Sequence, residues 1–176
     1  IIFEILTERG FSVNFCSCLS KSLFSLLGFS YVDDCDLLQS KDDTKDTIEA
    51  MQTVINNWTE LMAVTGGQIE AKKSWWYLAN VKWIKGKWDI VDEPTDTPLT
   101  ITYQGLTEIL KRLSVKEASE MLGIWMSLEG NHTKMLKHLR SETLKWASNI
   151  KSGNPSKIVA WTALHQTISA KMKYSM

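Results

Sequence analysis

Two adjacent carboxylates, Asp33 and Asp34, close the run Phe29-Ser30-Tyr31-Val32-Asp33-Asp34, and apolar character resumes from Cys35 to Leu38. Like charges placed this close raise each other's energy unless something positive binds them. A divalent cation is the natural partner. Mg2+ (or Mn2+) takes few protein carboxylates and leaves positions free for phosphate oxygens and water. A pair of such ions can activate an attacking hydroxyl and stabilise a departing phosphate, which is two-metal phosphoryl transfer. Asp-Asp is also an ordinary turn dipeptide that water satisfies. The pair alone therefore leaves both readings open, and its surroundings have to decide.

Those surroundings predict a hairpin with a helix behind it. Leu23 to Val32 are apolar, Asp33-Asp34 interrupt, and Cys35 to Leu38 resume, so the two carboxylates are expected at the turn of a β-hairpin. Residues 1–9 carry Ile1, Ile2, Ile5 and Leu6 at helical spacing and stop at Gly10, while Phe11 to Phe15 alternate as a strand does. Ile48, Met51, Ile55, Trp58 and Met62 recur at intervals of three and four and predict one amphipathic helix. Asp43 or Thr44 can cap it, and Gly66-Gly67 end it. Residues 74–91 read as strands with a turn at Lys85-Gly86-Lys87, and their tryptophans are expected to fill a core or cover the sheet, base stacking being the alternative. Residues 106–113 read as a short helix, and 120–128 as a short strand pair. From 131 the chain is expected to be all-helical, with Asn154 as N-cap and Pro155 at the first position of the last helix.

A formal net charge of zero hides a division. Residues 1–130 hold 12 Lys and Arg against 19 Asp and Glu, whereas residues 131–176 hold 8 against 1. A basic tail piece fits either a polyanion partner or a solvated helical face. The division suggests a domain edge near residue 130. Three cysteines, Cys16, Cys18 and Cys35, form neither a disulfide framework nor, with His132, His138 and His165, a zinc-spacing pattern. They suit a reducing compartment, so an intracellular protein of cytoplasm or nucleus is expected, not a secreted one. No apolar run approaches the roughly 18–20 residues of a membrane span. The start at Ile1 reads as a truncation inside a helix rather than a signal peptide.

Aromatic-x-Tyr-Val-Asp-Asp ahead of an apolar strand resembles motif C of reverse transcriptases, and the resemblance continues in order. Thr65-Gly66-Gly67-Gln68-Ile69, then Lys73 before Trp75-Trp76-Tyr77, is similar to the helix-then-lysine motif D of retrotransposon-type enzymes. Met121-Leu122-Gly123-Ile124-Trp125-Met126 resembles the primer-grip hairpin, and the basic helices after 131 resemble a thumb. The resemblance covers nearly the whole chain. It implies an α+β fold, with a partial polymerase palm (an antiparallel sheet with packed helices) over 1–130 and an all-helical, thumb-like segment over 131–176.

The activity it implies is RNA-directed DNA polymerisation: transfer of a nucleotide from a deoxynucleoside triphosphate to a primer 3′-hydroxyl on an RNA template. Asp33 would ligate Mg2+ or Mn2+, and Asp34 would ligate it or shape its field. Tyr31, with Val32 at the variable position, would lie by the primer end or incoming nucleotide. Lys73 would neutralise or protonate the departing pyrophosphate, although Lys72 stands beside it. Leu122 and Gly123 would approach the primer backbone, and Lys134, Lys137 and Arg140 would contact the RNA–DNA duplex. No Asp precedes Asp33. The aspartate of motif A, the fingers and the glutamine-glycine motif are therefore expected on a missing N-terminal part of the same polyprotein, and this piece is not expected to polymerise alone. The alternative is a non-catalytic remnant of a retroelement, or a helical module that binds nucleic acid or protein.

Overall fold

The computed structural model describes residues 1–31, 34–121 and 123–169. The chain is α+β. Helix α1 (Ile2–Glu8) is followed by strands β1 (Val13–Cys16), β2 (Leu23–Leu26), β3 (Gly28–Tyr31) and β4 (Asp34–Leu37). Helix α2 (Thr44–Val64) leads through a 3-10 turn at Ala71–Lys73 to β5 (Trp75–Tyr77), β6 (Ala79–Ile84) and β7 (Lys87–Asp92). Strands β8 (Thr100–Tyr103), β9 (Leu106–Ile109), β10 (Lys111–Leu113), β11 (Ser119–Met121) and β12 (Ile124–Met126) precede α3 (Thr133–Gly153) and α4 (Lys157–Ala163). A π-helical turn at Leu164–Ser169 comes after α4. The strands pair two by two: β1 with β2, β3 with β4, β6 with β7, β8 with β9, β11 with β12, and β5 with β10. That last pair is parallel.

Two compact units result. Of the described residues, one comprises those of Ile1–Asn80 with Asp92–Ser114, and the other those of Val81–Val91 with Val115–Ser169. This division differs from the edge expected near residue 130, because both Val81–Val91 and the β11–β12 hairpin share a unit with α3.

In the first unit α2 carries the core. Asp43 caps it, its carboxylate accepting from the Lys45 and Asp46 amides, so two of the unpaired N–H groups of the first turn are satisfied. Ile48 and Ile55 bury one face among Ala71, Leu78, Leu99, Ile101 and Leu110. Val54 and Trp58 bury a second face with Leu6 and Leu27. At about 100° per residue these faces lie roughly a quarter of a turn apart. The Gln52 amide works between helix and strand. Its Nε2 donates to the Thr100 carbonyl at 2.8 Å and its Oε1 accepts from the Thr100 N–H at 2.9 Å, as a neighbouring strand would.

Two expectations are corrected. Residues 106–113 are strands, not a helix. Gln104 and Gly105 both take positive φ, 50° and 80°, and turn the chain back so that Tyr103 pairs with Leu106. Asn154 is the left-handed C-cap of α3, at φ 43° and ψ 48°, rather than an N-cap. Ser156 caps α4 instead, its hydroxyl accepting from the Val159 amide.

Gln52→Ala is expected to lower stability by about 2 kcal/mol, because both polar groups of a partly buried Thr100 lose their partner. Denaturant melts read by circular dichroism should show an earlier midpoint at unchanged slope. A midpoint that does not move would mean water replaces the amide at no cost.

Candidate functional site

The β3–β4 hairpin carries the described part of the acidic site. Its register sets Tyr31 opposite Asp34, Ser30 opposite Cys35, Phe29 opposite Asp36 and Gly28 opposite Leu37. Val32 and Asp33 connect the strands and lie outside the described residues, so the expectations for both lie there as well. The expectation that Asp34 shares the turn with Asp33 is corrected. Asp34 is the first residue of β4, paired with Tyr31, because a two-residue connection leaves no place for it in the turn. It remains exposed.

Alternation along a strand puts Asp34 and Asp36 on one face, and cross-strand pairing puts Tyr31 and Phe29 beside them. Both rings are largely exposed. Asp36 is not among the residues that the sequence points to. Its signal is the i, i+2 spacing in Asp34-Cys35-Asp36, which only a strand converts into one face. Partial burial, and then the field of Asp34, raise the Asp36 carboxyl above its usual range. Burial and the Asp36 charge likewise push the Cys35 thiol up to about 11.

Gly28 lets the hairpin sit this way. A Cβ there would overlap the Asp36 carbonyl oxygen, so no other residue fits without moving β4. The hairpin base is held by Leu27, fully buried beside Val54 and Trp58, and by Leu37 packed on the same cluster.

Lys73 ends the 3-10 turn just before β5 and is exposed. It belongs to the same compact unit as Asp34, and among the described residues the two make no ion pair with each other. Arg112, which the sequence does not single out, holds that part of the unit together. Its guanidinium lies over the Trp76 ring at 5.4 Å and donates to the Glu93 and Thr95 carbonyls, fastening the loop after β7 to the β5–β10 pair. Among the described residues no group of three or more His, Cys, Asp or Glu side chains is placed to hold a metal ion.

In the second unit Gly123 closes the β11–β12 hairpin with φ +79°, and open space surrounds the position a Cβ would take. Leu122 beside it lies outside the described residues. The three basic residues expected on α3 separate. Lys134 is occupied within the protein: its Nζ lies 3.6 Å from the centre of the Trp125 ring and donates to the Ala118 carbonyl at 3.0 Å. Lys137 and Arg140 are exposed. On a helical wheel they share the face opposite buried Met135 with Lys151 and the exposed Leu144, and the exposed Leu136 stands at its edge.

The tryptophans of residues 74–91 also separate. Trp76 packs against the core, but Trp83 and Trp88 are exposed on the β6–β7 pair, which corrects the expectation that they fill a core. A two-stranded hairpin has no second layer to cover them.

No family model, no curated protein and no solved structure matches the chain. Among the described residues no helix is long and apolar enough to cross a membrane.

The raised Asp36 carboxyl gives a pH dependence with a definite sign. The folded state holds this proton more tightly than the unfolded state, whose value is near 3.8. The group's contribution is therefore fully present below that value and is lost as pH rises through the folded-state value. Asp36→Asn removes the penalty. Its stability relative to the parent chain should rise across that window and then level off, as read from denaturant midpoints at several pH values. A difference independent of pH would show that Asp36 ionises freely.

Proposed function

We propose that the chain is the motif C-to-thumb portion of a retrotransposon-type reverse transcriptase. In this reading it takes part in two-metal transfer of nucleotides from deoxynucleoside triphosphates to a primer on an RNA template. The observation that carries the reading is the tight β3–β4 hairpin, which pairs Tyr31 with Asp34 next to a two-residue connection containing Asp33. The order of the later elements supports it: helix α2, then Lys73 at the entrance to β5, then a hairpin turning on Gly123, then a helix with a basic face.

Each residue has a role in that chemistry. Asp33 and Asp34 hold Mg2+ or Mn2+. Burial is the main cause of the raised Asp36 carboxyl, and a cation held there would offset only the smaller one, the field of Asp34. Tyr31, exposed on the face that bears Asp34, packs against the nucleotide or primer end. Lys73 brings a positive charge to the leaving pyrophosphate. Gly123, with Leu122, approaches the primer backbone, and α3 tracks the duplex. The reading assigns the remaining metal-binding aspartate and the fingers to another segment of the same polyprotein. Basic α3 also favours a second reading, a module that binds nucleic acid without catalysis. The two differ in whether the hairpin binds metal.

Mn2+ broadens the magnetic resonance signals of nuclei close to it, so it locates a weak site directly. Titrating the chain with Mn2+ should broaden the amide signals of Tyr31, Asp33 and Asp34 first, and Asp33→Asn with Asp34→Asn should remove that selectivity. Broadening that ignores this hairpin, or that survives both substitutions, would sink the catalytic reading and leave the module.

The α3 face makes a separate prediction. Three exposed cations, Lys137, Arg140 and Lys151, can meet about three phosphates, so log affinity for an RNA–DNA duplex should fall with log salt at a slope of roughly −3. Reversing these three charges should abolish most of the slope while leaving thermal stability within about 0.5 kcal/mol. Lys134→Ala should instead cost about 1 kcal/mol of stability, because it removes a cation held over an aromatic face. An unaltered salt slope after the triple reversal would make α3 a solvated face only.

A further inference from the structure

The β6–β7 hairpin carries an aromatic surface that the metal chemistry does not use. Trp83 and Trp88 contact each other edge to face, with ring centroids 5.1 Å apart and planes at 77°. Despite that contact they remain 60% and 66% exposed, and Val81, on the same strand face as Trp83, is 57% exposed. Large aromatic side chains bury most of their surface when structure alone decides their place. Between residues 81 and 91 lie three lysines, Lys82, Lys85 and Lys87, against one acid, Asp89, in a part of the sequence that is otherwise acidic. Lys87 is paired with Asp89 at 3.7 Å, and Lys85 projects from the turn.

We propose that this hairpin is a binding platform for single-stranded nucleic acid. Bases stack on the Trp83–Trp88 pair, and Lys85 and its neighbours meet the backbone phosphates. Every base has a flat π-face, so such a platform does not require a particular sequence. Charge complementarity selects a polyanion over an apolar protein surface. The order of residues along the hairpin argues against a lipid bilayer. Its tip is Lys85-Gly86, and the tryptophans stand back from it on one face, so the tip cannot insert apolar groups ahead of charge. The platform is independent of the metal reading and needs no cation.

The test uses the whole chain, in EDTA, with a fluorescein-labelled oligo(dT) of about twelve nucleotides followed by anisotropy. Trp83→Ala should weaken binding about tenfold, and Trp83→Phe should retain most of it. Because Trp83→Ala also removes a packing contact, a second variant guards against misfolding. Lys85 occupies a left-handed position, φ 51°, with Gly86 next at φ 83°. Lys85→Asp places the favoured Asp-Gly pair there, so the turn is kept or strengthened while the charge reverses. It should weaken binding several-fold and reduce the salt slope by about 0.7, with no loss of melting temperature.

Charge reversal at Lys137, Arg140 and Lys151 should leave the Trp83 effect in place, which separates this platform from α3. Unchanged oligonucleotide affinity in both Trp83→Ala and Lys85→Asp would overturn the proposal. So would Trp83-dependent binding to phosphatidylserine vesicles without oligonucleotide binding, which would identify a lipid surface. Self-association lost in Trp83→Ala, again without oligonucleotide binding, would identify a second copy of the chain as the occupant.

Discussion

The first unit depends on one helix burying two different faces. A single apolar stripe on α2 would hold one layer. Ile48 and Ile55 take one set of partners, from Ala71 to Leu110, while Val54 and Trp58 take another, Leu6 and Leu27. Burying a side chain of this size contributes about 1.5–3 kcal/mol, so neither set is dispensable in a unit this small. The geometry has a direct consequence for the acidic hairpin. A two-stranded hairpin is marginal in water by itself. Here Leu27 and Leu37 pin its base to the Val54–Trp58 face, while Tyr31 and Asp34 at the other end stay in solvent. An anchored base with an exposed tip is what a site must have if it is to meet a large polyanion without rearranging the core.

Polar groups obey the same logic. Gln52 sits among the apolar positions of α2, yet it satisfies both backbone groups of Thr100 where no strand is available to do so. Arg112 does similar work for the loop after β7, and stacks on Trp76 as it does so. Planar side chains with fixed forks suit these positions, because they make paired bonds with little further loss of freedom. In a sequence such residues look like solvent-facing polar positions. Only their partners, far away in the chain, reveal them as structural.

That distance explains what was legible. Local signals read correctly: the period of α2, its Asp43 cap, the Lys85-Gly86 turn, and the stop at Gly10. Residues 106–113 misled because Leu106, Ile109, Leu110 and Leu113 fit a helical period, whereas the deciding features were the Gln104-Gly105 turn and the pairing of β10 with β5, more than thirty residues earlier. Asn154 misled for a related reason. It is a good residue for either end of a helix, and the left-handed conformation it takes after Gly153 belongs to a C-cap. At the acidic hairpin a shift of one residue separates turn from strand, so Asp34 falls in β4 and Asp36 joins its face.

The second unit shows how position along one helix divides a single residue type between two tasks. Lys134 and Lys137 are three residues apart on α3, a separation that turns the helix by nearly a full revolution and yet leaves them about 60° apart. The first falls within reach of the Trp125 ring and the Ala118 carbonyl, so its charge is used to hold the β11–β12 hairpin to the helix. The second stands on the face opposite Met135 and keeps its charge in solvent. A count of basic residues therefore overstates what α3 can offer a polyanion. The cations of that face are also interrupted by Leu136 and Leu144, both exposed. A surface of this kind can grip a phosphate backbone only at separated points. It fits a partner held jointly with other surfaces better than one held by charge alone.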